Sequence, residues 1–435
     1  MFAAGALLMY HGNLRGTMER MADLPLGSTP ADALVDWVCA RAAANRSVSH
    51  CDHCSHWEQP PLVRADALPP PPRRARTAWF LCLTQPRDAI SREHQQFARA
   101  AIVSARLNAP SVAPHVIYMS DSAAHPVRPD AFTGWLAAAG VRTIAHNLSF
   151  LHRIPTKRRR RGGAVPHLNV GAYCRIDVPR IVRRLAPELR ARGLDDGSVL
   201  YTDTDVAFAA DWDRPSRVHN FAAGTEVFSP SMNSGVMVLN VSGFGAEVER
   251  MLDYAETKGF DFLTSDQALI QQWFMAHTPD WRKKVVKSRA ADPGWDTLDD
   301  ASYNARPYAH PRKPSAGGEH VEPKLWHWHG YKPSDVDCWL NAIESGAWPE
   351  RSWRALPNCK RGRCKWKPIV GSGCRYFGRI TMKPCYLRTY VYMLAQHRKL
   401  LELADSVAGS EELELDSMRG RVRELQKELR EVEGS

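Results

Sequence analysis

The sequence has no apolar run of the roughly 20 residues that a membrane-spanning helix needs. The N-terminal apolar stretch Phe2–Tyr10 is far shorter, and no basic region precedes it, which makes it a poor signal peptide. Internal repeats are also missing, which argues against solenoid and propeller architectures. We therefore expect either a soluble intracellular protein or a chain whose N-terminal anchor lies upstream of Met1.

Closely spaced cysteine pairs are scarce, although the chain has ten cysteines. Four of them fall within Cys359–Cys385 without a CxxC pair, which favours a small disulfide-bonded module in an oxidising compartment over a four-cysteine zinc site. The segment His50–His56 contains one CxxC, but no second pair follows at the usual distance. We therefore expect a local disulfide or free thiols in this segment.

Positive charge exceeds negative charge, and the formal net charge is +11. Such an excess favours polyanionic partners, which include nucleotide phosphates, membrane headgroups and nucleic acids. Much of the charge lies in three runs, at Arg73–Arg76, Lys157–Arg161 and Cys359–Lys367. Only the last run contains an aromatic residue, Trp366, so we expect solvated loops and no nucleic-acid partner.

The composition changes along the chain and predicts four regions. These are an N-terminal appendage with a proline-rich linker (1–76), an α/β domain (77–345), a Cys-rich basic segment (346–390) and a C-terminal helix (391–435). Apolar residues three and four apart form a seam in the last region: Leu415, Met418, Val422, Leu425, Leu429 and Val432. A short coiled coil that forms a homodimer and an exposed helix that frays are both compatible with so short a seam.

Short apolar runs alternate with amphipathic stretches in the α/β region. The predicted strands lie at Ala78–Thr84, His115–Ser120, Val141–Asn147, Val199–Phe208, His219–Glu226 and Asn233–Val241. The predicted helices lie at Phe132–Ala139, Leu168–Leu189, Gly245–Glu256 and Ser265–Met275, with a kink or break at Pro179 and Ser265 as an N-cap. This alternation predicts a mainly parallel sheet with helices on both faces.

Two aspartates, Asp203 and Asp205, come directly after the apolar run "VLYT". Ligands of parallel sheets bind beyond the carboxyl ends of the strands, and paired carboxylates suit Mg2+ or Mn2+. A strand-end turn explains the same residues without a metal. The stretch "KLWHWHGYKP" (Lys324–Pro333) offers an imidazole ligand, although, taken alone, its histidines are better explained as half-buried strand residues.

Five segments, in this order, resemble those of the family 8 glycosyltransferases, the group that includes glycogenin and galactinol synthase. They are "GAYCRIDVPRIV", "LYTDTDV", "MNSGVMVLNV", "SDQALIQQ" and "HWHGYKP". A single short motif is weak, but five in register are specific. The resemblance covers roughly residues 78–340 and implies a GT-A fold, a divalent cation that is usually Mn2+ or else Mg2+, and a nucleotide-sugar donor, commonly a UDP-sugar.

Carried onto this sequence residue by residue, the resemblance implies a set of roles. The metal ligands would be Asp203, Asp205 and His327. The donor site would include Thr84, Arg175, Asp203, Asn233, Gly330 and Lys332. The residues that flank the anomeric carbon would be Asp266 and Gln267. An amide is a poor nucleophile, so attack on the same face as the leaving phosphate, with retention of configuration, is expected.

The sequence therefore predicts a metal-dependent transferase that moves a hexose or pentose to a hydroxyl of a carbohydrate, protein or lipid-linked acceptor. Another GT-A sugar or nucleotide transferase with the same acidic motif is one alternative. A catalytically silent relative that serves as a binding or scaffold module is the alternative from another class. We expect the Golgi or secretory lumen if the N-terminus is truncated, and the cytoplasm otherwise.

Overall fold

The structure is a computed structural model that describes most of the predicted α/β region and part of the C-terminal helix. The described residues are 75–85, 89–120, 127–155, 170–213, 218–226, 231–262, 265–276, 295–307, 322–330, 332, 333, 336, 367–368, 375–376, 389–390 and 392–407. Several predictions lie outside them: the appendage up to residue 74, the basic run Lys157–Arg161, the four cysteines of Cys359–Cys385 and the heptad seam.

The described chain divides into two compact units. The larger unit contains the described residues from 75 to 306, from 322 to 327 and from 399 to 407. The smaller unit contains residue 307 and the described residues between 328 and 398.

A seven-stranded sheet forms the centre of the larger unit. Its strands are β1 (Thr77–Thr84), β2 (Val112–Met119), β3 (Arg142–His146), β4 (Asp195–Thr202), β6 (Phe221–Thr225), β7 (Met232–Asn240) and β8 (Asp296–Thr297), in the order β3-β2-β1-β4-β7-β6-β8. The β3-β2-β1-β4 half is parallel, and β7 runs antiparallel to both neighbours. The predicted α/β class with a mainly parallel sheet is confirmed.

Helices cover the sheet. They are α1 (Ala89–Asn108), α2 (Ala131–Ala138), α3 (Cys174–Ala191), α4 (Val241–Thr257), α5 (Ser265–Ala276) and the single turn α6 (Asp300–Tyr303). Side chains alternate between the faces of a strand, and both faces of β1 are buried: Phe80 packs with α3 and α4 residues, while Trp79 and Leu81 are 0% exposed on the opposite face. Burial on both faces confirms the predicted layering.

Local sequence explains where several helices begin. At α2, Asp130 accepts a hydrogen bond from the backbone N–H of Thr133, whose side chain accepts from the N–H of Asp130, which is a capping box. At α4, the side chain of Asn240 caps the first turn. Helix α3 continues through Pro179, so the predicted break does not occur there.

A disulfide joins Cys82 of β1 to Cys174, the first residue of α3. It closes a loop with a sequence separation of 92 residues and holds the start of α3 against the end of β1. This pairing could not be predicted from the sequence, because the two cysteines are far apart in the chain. Among the described helices, none is both long and apolar enough to cross a membrane.

The C-terminal helix is described over residues 389–390 and 392–407. In the larger unit, the indole N–H of Trp135 donates to the carbonyl of Ala404 at 2.7 Å, and Arg99 pairs with Asp405 at 2.6 Å. In the smaller unit, Trp328 packs against Tyr390 and His397, and the strands Lys367–Pro368 (β10) and Arg375–Tyr376 (β11) pair antiparallel.

Candidate metal and donor site

The acidic motif lies at the carboxyl edge of the parallel strands, as predicted. Strand β4 ends at Thr202, whose hydroxyl accepts a buried hydrogen bond from the indole N–H of Trp79 at 2.9 Å. The next residue, Asp203, donates its backbone N–H to the carbonyl of Gly235 in β7 at 2.8 Å. The turn that carries Asp203 and Asp205 is therefore anchored to strands on both sides.

A second, two-stranded ladder brings His327 to the same turn. Strands β5 (Val206–Phe208) and β9 (Leu325–His327) pair antiparallel, with Val206 opposite His327. This register places Nε2 of His327 3.6 Å from Oδ1 of Asp205. One ligand atom from each of Asp203, Asp205 and His327 lies within 4.8 Å of the others.

The three side chains fit a divalent cation of the Mn2+ or Mg2+ type. They offer two carboxylate oxygens and one imidazole nitrogen, and Mn2+ accepts both kinds of ligand. Asp205 and His327 are buried, with 9% and 3% of their side chains exposed. Buried carboxylates gathered in this way are unfavourable unless positive charge lies among them.

Gly235 makes room for the imidazole, and the sequence analysis did not single it out. A Cβ atom at this position would lie 2.1 Å from Cε1 of His327 and 2.7 Å from Nε2. Real carbon atoms do not approach so closely, so any side chain at position 235 would displace the ring. The glycine of the "NSGV" segment therefore shapes the candidate metal site.

Arg175 neutralises the acidic residues around the motif. It is 4% exposed, its Nη2 donates to Oδ1 of Asp203 at 2.8 Å, and its Nη1 donates to the carbonyl of Ser234. Its Nε lies 2.7 Å from Oδ2 of Asp266, which makes an ion pair. The two atoms are not aligned for a hydrogen bond, because the Nε–H of Arg175 donates to the carbonyl of Ala172. Burial opposes the charge, but Asp203 and Asp266 outweigh burial and raise the pKa of Arg175.

Asp266 lies in the first turn of α5, as predicted, and is 3% exposed. Burial raises its pKa to about 6, while Arg175 acts in the opposite direction. The predicted N-cap hydrogen bond of Ser265 is not formed: its hydroxyl is buried and has no hydrogen-bond partner among the described residues. The reason is that Ser265 takes a left-handed conformation (φ 49°) instead of the extended one of an N-cap.

Gln267 and Asn233 are both held by Glu226, which follows β6. The side-chain amide of Gln267 donates to Oε1 of Glu226 at 3.2 Å, and its oxygen accepts from the N–H and hydroxyl of Ser234. The amide of Asn233 donates to the same Oε1 at 2.9 Å. The oxygen of Gln267 is therefore already engaged by two donors of the protein.

Two buried polar residues behind this layer were missed by sequence reasoning. Arg306, 1% exposed, lies 3.3 Å from Oε2 of Glu226 and 3.3 Å from Oδ1 of Asp300. Asn304, 0% exposed, lies 2.8 Å from Nδ1 of His327. Both follow the short helix α6 in the segment "SYNAR", which contains no pattern that marks them in the sequence.

The remaining predicted residues are placed as follows. Thr84 ends β1, three residues beyond Leu81, which pairs with Thr202 at the end of β4. Gly330 has a left-handed φ of 99°, and Nζ of Lys332 donates to the carbonyl of Trp328 at 2.8 Å. Gly330, Lys332 and Trp328 belong to the smaller unit. The role of Gly330 and Lys332 in donor binding stays a prediction.

Among known proteins, the chain is similar to several solved structures. No protein-family model matches the chain, and no curated protein matches it. The galactosyltransferase LgtC, solved with donor and acceptor sugar analogs, is 15% identical, with a TM-score of 0.41 and 64% of this chain and 99% of LgtC covered. Mouse xyloside xylosyltransferase 1 is 12% identical, with a TM-score of 0.37 and coverage of 59% and 98%. The glycosyltransferase GlyE of Streptococcus pneumoniae TIGR4 is 14% identical, with a TM-score of 0.38 and coverage of 60% and 56%.

All three solved structures are glycosyltransferases. Their likeness to this chain is distant, and the interpretation of the site rests on the chain's own geometry. That geometry is the convergence of Asp203, Asp205 and His327, within 4.8 Å of one another, at the carboxyl edge of the sheet.

Proposed function

We propose that this chain is a metal-dependent glycosyltransferase that transfers a hexose or pentose from a UDP-sugar to a hydroxyl acceptor with retention of configuration. The observation that carries the proposal is the cluster of the half-buried Asp203 with the buried Asp205 and His327. A carboxylate-rich cation site at the end of parallel strands suits a diphosphate ligand. The cation, when bound, would supply positive charge that stabilises the departing nucleoside diphosphate.

The protein contributes a preorganised charge arrangement around this site. Arg175 fixes Asp203 and balances the second buried carboxylate, Asp266, so that the acidic turn is held before any donor binds. Preorganised charges need no rearrangement during the reaction, which is where much of an enzyme's rate enhancement originates. Glu226, with 20% of its side chain exposed, offers carboxylate oxygens to sugar hydroxyls.

In the reaction, the bond between the anomeric carbon and the phosphate oxygen of the donor breaks, and a bond from that carbon to the acceptor oxygen forms. The acceptor proton passes to the departing phosphate. The oxygen of Gln267 accepts from Ser234, so a protein nucleophile at this position is disfavoured. This supports attack on the same face as the leaving group, with the acceptor hydroxyl held close to the anomeric carbon by the pocket.

The disulfide between Cys82 and Cys174 supports a location in an oxidising compartment such as the Golgi lumen. The acceptor there would be a carbohydrate, protein or lipid-linked hydroxyl.

The proposal is tested by incubating the protein with a panel of radiolabelled UDP-sugars, with Mn2+ and with EDTA. We expect Mn2+-dependent release or transfer of one labelled sugar, and its loss in Asp205→Ala. The control is Asp196→Ala, which removes an aspartate with 27% of its side chain exposed that pairs with Arg190. A folded protein that turns over no donor would overturn the proposal and favour the scaffold alternative.

A further inference from the structure

A chain of hydrogen bonds connects Glu226 to the metal-ligating imidazole through two buried asparagines. It begins at Oε1 of Glu226, which accepts from the amide nitrogen of Asn233 at 2.9 Å. Oε2 of the same carboxylate lies 3.3 Å from Nη1 of Arg306, a group that can only donate. An ionised carboxylate only accepts, so the nitrogen of the Asn233 amide must face Glu226.

The orientation of Asn233 fixes that of Asn304. With its nitrogen turned to Glu226, Asn233 presents its oxygen to the backbone N–H of Gly235 at 3.1 Å and to Nδ2 of Asn304 at 3.2 Å. A backbone N–H can only donate, so this neighbour independently requires the same orientation of Asn233. The nitrogen of Asn304 therefore faces Asn233, and its oxygen faces His327.

The orientation of Asn304 determines which nitrogen of His327 carries the proton. Oδ1 of Asn304 lies 2.8 Å from Nδ1 of His327, and a carboxamide oxygen only accepts. Nδ1 of the neutral ring is therefore protonated, and the lone pair is on Nε2. Nε2 is the nitrogen that lies 3.6 Å from Oδ1 of Asp205.

We propose that Asn304 is a positioning residue that holds His327 in the Nδ1-protonated tautomer and so presents Nε2 to the cation. Glu226 and Asn233 determine which way the amide of Asn304 faces. The same hydrogen bonds therefore connect the metal ligand to the donor pocket. The inference rests on the metal site of the proposed function. Burial supports it, because Asn304 is 0% exposed and a Cβ at Gly224 would lie 2.6 Å from its Nδ2, so glycine leaves the space that the amide fills.

Two measurements test the inference, and neither depends on enzymatic turnover. The first is a long-range 1H–15N spectrum of the metal-free protein labelled on histidine nitrogen, with His327 assigned by comparison with His327→Gln. We expect His327 protonated at Nδ1. Protonation at Nε2 in the wild-type protein would overturn the proposal without the need for any variant.

The second measurement is the affinity for Mn2+ alone, from the electron paramagnetic resonance signal of the free ion. We expect Asn304→Leu, which is similar in size and has no acceptor, to bind Mn2+ about 10–100-fold more weakly, as for other residues that orient metal ligands. Asn304→Asp keeps an acceptor oxygen opposite Nδ1 and should retain the tautomer in the first measurement, while it loses the hydrogen bond that Asn304 donates to Asn233. The matched control is Asn108→Leu, since the Asn108 amide donates to the carbonyl of Phe208 outside this chain of hydrogen bonds.

Wild-type Mn2+ affinity in folded Asn304→Leu would contradict the inference. Protonation of His327 at Nε2 alone in Asn304→Asp would also contradict it, because an acceptor oxygen opposite Nδ1 would then not set the tautomer. If no UDP-sugar is turned over while Mn2+ binding still depends on Asn304, the proposed function fails and this inference stands.

Discussion

The imidazole of His327 lies against the backbone of Gly235 so closely that a Cβ atom there would be 2.1 Å from Cε1 of the ring. Strand β7 thereby sets the position of a side chain that belongs to β9. The glycine and the histidine are 92 residues apart in the sequence (327 − 235), and the cation site requires both.

The first prediction is that Gly235→Ala displaces His327 and weakens Mn2+ binding about 10–100-fold. The measurement is Mn2+ titration by calorimetry, together with the melting temperature. The control is Gly134→Ala in helix α2, where an added Cβ meets nothing within 4 Å and should stabilise the helix slightly. Equal Mn2+ affinity of Gly235→Ala and wild type would show that the ring is not a ligand.

The second prediction is that Arg175→Met lowers the free energy of unfolding by about 3 kcal/mol, because it leaves Asp203 and Asp266 without their buried partner. Urea unfolding of metal-free protein measures this. Arg142→Met removes an exposed pair with Glu188 and should cost less than about 1 kcal/mol.

A double variant separates the contributions of the two carboxylates. Adding Asp266→Asn to Arg175→Met should recover part of the lost stability, because one unpaired buried charge is then removed. Additive losses in the two variants would contradict the ion pair between Arg175 and Asp266.

The third prediction concerns pH and Asp266. Burial raises its pKa from the ordinary 3.8 to about 6, so the folded state binds a proton more tightly than the unfolded state. The contribution of Asp266 to the free energy of unfolding is fully present below about pH 4, and it is lost as the pH rises through about 6. The shift corresponds to roughly 3 kcal/mol.

Comparison with Asp266→Asn isolates this effect, since asparagine does not titrate. Urea unfolding of metal-free protein from pH 4 to 7 should show the wild type losing stability relative to the variant. A constant difference between the two proteins across this range would contradict the raised pKa.

The fourth prediction is that the disulfide between Cys82 and Cys174 stabilises the fold. Closing a loop with a sequence separation of 92 residues contributes about 4 kcal/mol in the chain-entropy description. The double variant Cys82→Ala/Cys174→Ala should unfold at lower denaturant concentration than the wild type. Dithiothreitol should lower the wild-type midpoint further than that of the variant, and equal sensitivity would contradict the assignment.

Sequence reasoning found the parts of the site that lie in short local patterns. Asp203 and Asp205 follow an apolar strand directly, and His327 lies in a distinctive His-Trp-His-Gly segment, so all three could be named from sequence. Most strands of the parallel sheet were also visible as short apolar runs, although β3 has only Ile144 and Ala145 as apolar residues. The C-terminal helix was expected from residue 391, and the described helical residues are 389–390 and 392–407.

The residues that support the site could not be found in the same way. Asn304 acts on His327 from 23 positions away (327 − 304), and only the pairing of β5 with β9 brings the ring beside Asp205. Gly235 has a role only because another strand's side chain lies against it. The partners of Glu226 and Arg306 depend in the same way on tertiary packing, which no local periodicity encodes.

In the proposed function, Asp203, Asp205 and His327 bind a divalent cation that holds a nucleoside diphosphate. The most direct measurement is a Mn2+ titration followed by electron paramagnetic resonance, with and without UDP, in wild type, Asp205→Asn and the control Asp196→Asn. The account predicts one saturable Mn2+ site per chain, tighter with UDP, lost in Asp205→Asn and kept in the control. Unsaturable binding in the wild type, or equal binding in all three proteins, would contradict it.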